Sequence, residues 1–163
     1  MMDAENSALS SIYTGPENMP AQHGYRNLFD TTILLTPNLK FNAYINYDFG
    51  MNKDSISQGL GNHITNKWQG IAGAARRQIT PKIAAAGRLE ILDDMNGYTT
   101  GTKQTVKEYT ATGEYLWARR LLARMEYRHD WSDVGTFHKG SNDMVDSQST
   151  VTLGLVAIFA PNR

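Results

Sequence analysis

Arg124, Glu126, Arg128 and Asp130 stand at every second position, with Ala123, Met125, Tyr127, His129 and Trp131 between them. A period of two is the spacing of a strand with one charged and one apolar face, whereas a helix would spread these charges around its circumference. Glu108 and Glu114 take part in the same alternation upstream, opposite Tyr109, Ala111, Gly113, Tyr115 and Trp117. Such a surface offers paired charges of both signs rather than a reactive constellation. A nucleophile–base arrangement would need a serine, histidine and acid converging on one face. His129 falls on the apolar face, and His23, His63 and His138 lie in polar stretches without a partner pattern, so no catalytic residue is expected. Cysteine is absent, which removes thiolate catalysis, thiolate metal sites and disulfides together. The clusters Asp93, Asp94, Asn96 and Asp143, Asp146 match no cation-loop spacing, and Asp-Asn-Gly is ordinary turn chemistry. No metal and no cofactor are expected.

The elements that must carry these charges are strands throughout. A first run, LFDTTILLT, ends at Thr36-Pro37-Asn38, and the next alternates Leu39, Phe41, Ala43, Ile45, Tyr47 and Phe49 with Lys40, Asn42, Tyr44, Asn46 and Asp48. A third, WQGIAGAARRQIT, stops at Thr80-Pro81-Lys82. Ile83, Ala85, Gly87, Leu89 and Ile91 then alternate with Arg88 and Glu90, the hairpin around Arg119 follows, and STVTLGLVAIFA closes the series. The reading is all-β: an antiparallel, up-and-down transmembrane β-barrel segment of about seven strands over residues 27–163. Seven strands cannot close with every pair antiparallel, so an incomplete barrel is expected. Residues 1–26 are polar, broken by Gly15-Pro16, Pro20 and Gly24, and read as an irregular segment, the remnant of an external loop. Acids stand in MMDAENSALSSIY where a signal peptide has a basic region, so a truncated N-terminus is expected.

Three features favour a membrane over water. Tight turns fall near Pro37, Pro81 and Arg119, and long polar loops near 51–66, 94–104 and 134–147, so the two ends of the sheet differ as they do in outer-membrane barrels. Phe41, Trp117 and Phe159 mark one end of the apolar face, and Tyr47, Phe49, Trp68 and Trp131 the other, flanking an aliphatic band. An arginine facing lipid near the midplane costs about 2–4 kcal/mol, so Arg88, Glu90, Arg124, Glu126 and Arg128 must face a polar lumen. They are expected to pair with one another and with Glu108 and Glu114. Arg76 and Arg77 are adjacent, so one of them points outward near the headgroups. Sixteen basic residues balance sixteen acidic ones, which offers no field for nucleic acid.

The opening YTGPEN and the runs RNLFDTTILLTPNLKFNAYINYDFG, ARRQITPKIAAAGRLEILDDMNG, YTATGEYLWARRLLARMEYRHDWS and STVTLGLVAIFA together resemble the C-terminal part of the OmpL-like family of bacterial β-barrel porins, over about residues 13–160. The resemblance implies an outer-membrane, channel-like protein without catalytic residues, in contact with outer-membrane lipid, its insertion machinery and small polar solutes. Pore-lining candidates are Lys40, Asp48, Arg88, Glu90, Glu108, Glu114, Arg124, Glu126, Arg128 and Asp130. The rival expectation is a soluble, lipocalin- or avidin-like ligand-binding barrel of inverted polarity, with the apolar face lining the interior. Its interior would be rich in alanine and glycine, a poor filling for a small core.

Overall fold

The computed structural model describes residues 5–19, 22–56, 63–118, 120–140, 143–157 and 159. Eight long strands form one sheet: β1 (Glu5–Met19), β2 (Gln22–Asn38), β3 (Phe41–Ile56), β4 (His63–Gln78), β5 (Ile83–Asp94), β6 (Gln104–Ala118), β7 (Leu121–Ser132) and β10 (Ser147–Ala157). Each pairs antiparallel with its neighbour in chain order, and β10 pairs with β7. The short strands β8 (Phe137–Lys139) and β9 (Asp143–Val145) make a separate hairpin inside the connection between β7 and β10. The sheet is not closed, because β1 and β10 remain its two edges. The all-β, up-and-down, incomplete barrel expected from the alternation is therefore present.

The expectation of an irregular segment over 1–26 is corrected: 22–26 belong to β2, and before them stand residues 5–19. They form a strand in continuous register with β2, from Glu5↔Thr36 to Met19↔Gln22, so the sheet has eight strands rather than seven. An even number removes the parity obstacle to closure, yet the edges stay apart. The polar stretch 51–66 is also more regular than expected, since β3 reaches Ile56 and β4 starts at His63.

Residues directly opposite one another in a ladder share a face, so the register assigns sides. Leu35, Ala43, Ala75, Gly87, Ala111, Tyr127 and Val151 form one row, and Leu34, Tyr44, Ala74, Arg88, Thr110, Arg128 and Thr150 form the row behind it. The first lies on a face whose Leu89, Met125, Leu153 and Leu155 are exposed. The second lies on the face that holds every buried strand residue named here: Asn52, Asn66, Ala84, Asp94, Gln104, Glu108, Thr110, Glu114, Asp130 and Ser132. Side chains crowd where a curled sheet converges, so the charged face is concave and the apolar face convex. In a water-soluble barrel the apolar side chains would be the crowded ones.

Charges on the convex face sit near its ends. Arg77 lies opposite Ala85 near the Pro81 turn, and Lys107 opposite Ile91 and Trp131 near the other end. Between them run Ile33, Ile45, Gly73 and Leu89. Tyr109, Tyr127, His129 and Trp131 form an aromatic cluster with ring centroids 5.5–6.1 Å apart. Trp68 is the exception to the expected aromatic band. It faces inward with Gly50 opposite, and a Cβ on Gly50 would stand 2.1 Å from the indole. Glycine there is what admits the ring.

Candidate functional site: the charged concave face

Alternation puts Arg88 and Glu90 of β5, Glu108 and Glu114 of β6, and Arg124, Glu126, Arg128 and Asp130 of β7 on the concave face, joined by Asp48 of β3. Lys40 alone of the ten lining candidates does not join them. It is exposed in the turn between β2 and β3, where its carbonyl accepts from the Gln78 amide at 2.7 Å. A two-residue turn has left the alternation that would have aimed it inward.

The concave charges are layered along the strands. Glu90, Glu108 and Asp130 are directly opposite one another on three successive strands. Like charges so placed repel, and the arginines of the next row relieve the repulsion diagonally. Arg88 Nη2 donates to Glu108 Oε2 at 2.5 Å and stands 3.6 Å from Glu90. Arg128 Nε donates to both oxygens of Asp130 at 2.8 and 3.1 Å, and Gln148 adds a bond at 3.1 Å from β10. The Thr110 hydroxyl also donates to Glu108.

Glu114 holds the second network. Arg124 Nη2 reaches its Oε1 at 2.6 Å from the opposite position on β7. Arg76 reaches over β5 to donate from Nε and Nη2 to Oε2 at 2.9 and 2.7 Å. Arg76 also donates to Gln78 at 3.1 Å. The three carboxylates so engaged, Glu108, Glu114 and Asp130, are only 3, 6 and 2% exposed. Buried carboxylates need charged or multiple donors, and each has them. Glu126 accepts from Thr112 at 3.3 Å.

Several members were not among the lining candidates. Arg76 was legible only as one of an adjacent pair of which a single member can face outward. Asp30 lies directly opposite Asp48, and Asn46 donates to it at 3.1 Å. Thr32, Tyr44, Asn46, Asp48, Arg88 and Glu90 border a cavity of about 500 Å³ on this face. No short motif marks these positions, because only register brings them together.

The connection from β5 to β6 leans back toward the same face. Asp94 accepts from the amides of Tyr98, Thr99 and Thr100 at 2.7–2.9 Å and from the Thr100 hydroxyl at 3.0 Å. Gly97 and Gly101, both at positive φ, supply the reversals. The Lys67 amide donates to Asn96 at 2.9 Å, and Arg26 of β2 donates to the Tyr98 hydroxyl at 2.9 Å. The Asp-Asp-Met-Asn-Gly cluster thus acts as turn chemistry that anchors a loop.

An antiparallel up-and-down sheet with polar residues inside and an exposed apolar band outside defines the class of β-barrel membrane proteins. Residues 1–159 match the family model described as "Putative beta-barrel porin-2, OmpL-like". The chain belongs to this family, as its strand runs suggested. No curated protein and no solved structure matches the chain.

Proposed function

We propose that the chain is a porin-like outer-membrane protein that contributes the wall of a polar passage for passive diffusion. The observation that carries this reading is the polarity of the curled sheet, with Arg88, Glu90, Glu108, Glu114, Arg124, Arg128 and Asp130 inside and Leu89, Met125, Leu153 and Leu155 outside. The convex band meets outer-membrane lipid, the concave face meets water and small polar solutes, and the insertion machinery of the outer membrane places it there. Family membership supports the same reading. A lipocalin- or avidin-like barrel needs the opposite polarity.

The chemistry of such a wall is electrostatic, without bond making or breaking. Mixed charges in closed pairs give a passage modest selectivity, because each guanidinium is largely cancelled by its carboxylate. Reconstituted protein should give discrete conductance steps in planar bilayers. Arg124→Glu should move the reversal potential in a salt gradient toward cation preference while insertion is unchanged, since it both removes a positive charge and releases Glu114. Absence of any conductance from inserted protein refutes the passage. An unchanged reversal potential removes Arg124 from the selectivity-determining wall.

A further inference from the structure

We propose that the connection between β5 and β6, residues 95–103, sets the size limit of the passage, with Arg26 and Tyr98 as the pair that holds it in place. This rests on the passage proposed above, and it names the part that discriminates among solutes.

Burial along the concave face is the first observation. Arg26, Asn52 and Asn66 stand directly opposite one another on β2, β3 and β4, and Asp94 stands opposite Gln104 on β5 and β6. All five lie at the end of the sheet from which residues 95–103 emerge. Side chains at a strand end that face an open, water-filled lumen should be among the most exposed of its wall. Asn52, Asn66, Asp94 and Gln104 are instead 1, 7, 0 and 3% exposed. Farther along the strands, the side chains of Arg88, Arg124 and Arg128 keep 36–47% exposure. The mouth is covered at one end.

The cover is built from the connection itself. Asp94 points inward and gathers the amides of Tyr98, Thr99 and Thr100, so the chain wraps over the concave side rather than away from the sheet. Gly97, at φ +71°, folds it back on its own end, where a Cβ would stand 2.8 Å from the Lys103 amide nitrogen. From this neck the loop reaches across its neighbours. Asn96 accepts from the Lys67 amide of β4 at 2.9 Å, and the Tyr98 hydroxyl accepts from Arg26 Nη2 of β2 at 2.9 Å. The Arg26 guanidinium also stands 5.8 Å from the centroid of the Tyr98 ring, and its Nε donates to Asn52 at 3.2 Å.

The reach is what a simple connection does not need. β5 and β6 are adjacent, so a loop joining them has one strand spacing to span. Contact with β2 takes it three spacings the other way, about 14 Å across the mouth. The connection between β7 and β10 closes in from the opposite side, where Gln104 Nε2 donates to the Thr136 hydroxyl at 3.3 Å. Beside the latch the remaining space is small: Arg26, Gly50, Trp68 and Tyr98 border a hollow of about 340 Å³.

Reconstituted protein in planar bilayers and lipid vesicles tests the latch. Tyr98→Phe removes the accepting hydroxyl without changing charge, and Arg26→Lys keeps the charge but loses the planar fork. Both should raise single-channel conductance and shift the exclusion limit in vesicle swelling toward larger neutral sugars, with the reversal potential unchanged. Parent values in both variants would overturn the proposal, because Arg26 would then act by charge alone. The chain has no cysteine, so a double variant, Arg26→Cys with Tyr98→Cys, can be bridged by a short, reducible bis-methanethiosulfonate. The bridged protein should keep the parent exclusion limit, and reduction should shift it upward. An exclusion limit indifferent to reduction, or no bridge within the chain, would also overturn the proposal. Absence of conductance from the inserted parent protein sinks the passage itself. A conducting protein insensitive to these variants sinks only the size limit, which separates the two failures.

Discussion

Glu114→Gln tests whether the concave network is structural as well as electrostatic. The carboxylate is 6% exposed and is held by Arg124 at 2.6 Å and by Arg76 at 2.7 and 2.9 Å. The amide keeps the volume and one acceptor but turns an NH2 toward a guanidinium. A hydrogen bond to a charged group contributes about 1.5–3 kcal/mol. Two guanidiniums set an upper range of roughly 3–6 kcal/mol on that scale. Arg76 and Arg124 have side chains 35 and 47% exposed, so water recovers about half of it once the pair is broken. The expected loss is about 2 kcal/mol, roughly a thirty-fold shift in the folding equilibrium. Reversible urea unfolding in lipid vesicles, followed by tryptophan fluorescence, measures it. Arg124→Gln alone should cost about 1 kcal/mol, and the double variant should show a coupling of similar size. A Glu114→Gln protein within 0.5 kcal/mol of the parent, or a coupling near zero, would refute the argument. The arginines would then be solvated neighbours rather than partners.

Two further outcomes follow from the faces and the loop. Leu89→Arg, on the exposed convex band, should lose about 2–4 kcal/mol of stability in vesicles, the scale for arginine at a lipid-facing midplane. Thr152→Arg, on the concave side opposite Glu126, should stay within about 1 kcal/mol; equal losses would mean that the two faces are not lipid and water. Asp94→Ala removes the acceptor of three amides and a hydroxyl, so trypsin should cleave after Lys103 at least several-fold faster while the sheet remains folded. Unchanged cleavage would show that the loop is anchored elsewhere.

The strand runs and the two faces were legible in the sequence, because side-chain direction in an extended chain follows position modulo two; the expected sorting of tight turns to one end fails at β1, which joins β2 through only two residues between Met19 and Gln22 at the other end. Once Arg124 and Glu126 are placed inward, Met125 must point outward, whatever the partner strand. This parity also announced that Arg76 and Arg77 would part company. It could not decide Trp68, since WQGIAGAA offers small residues on both faces. The register with β3 decides it, by setting Gly50 opposite the ring. Nor could it reveal β1, whose serines, asparagines and Gly-Pro step carry almost no alternation. That segment becomes a strand because β2 presents an edge of unpaired backbone groups, a property of the sheet rather than of residues 5–19. The ion pairs depend still more on tertiary structure. Arg76 and Glu114 are 38 residues apart, and they meet because curvature lets a long side chain cross one strand to the next. The sequence by itself determined which side chains share a face; register and curvature, set by backbone pairing between distant strands, decided which of them touch.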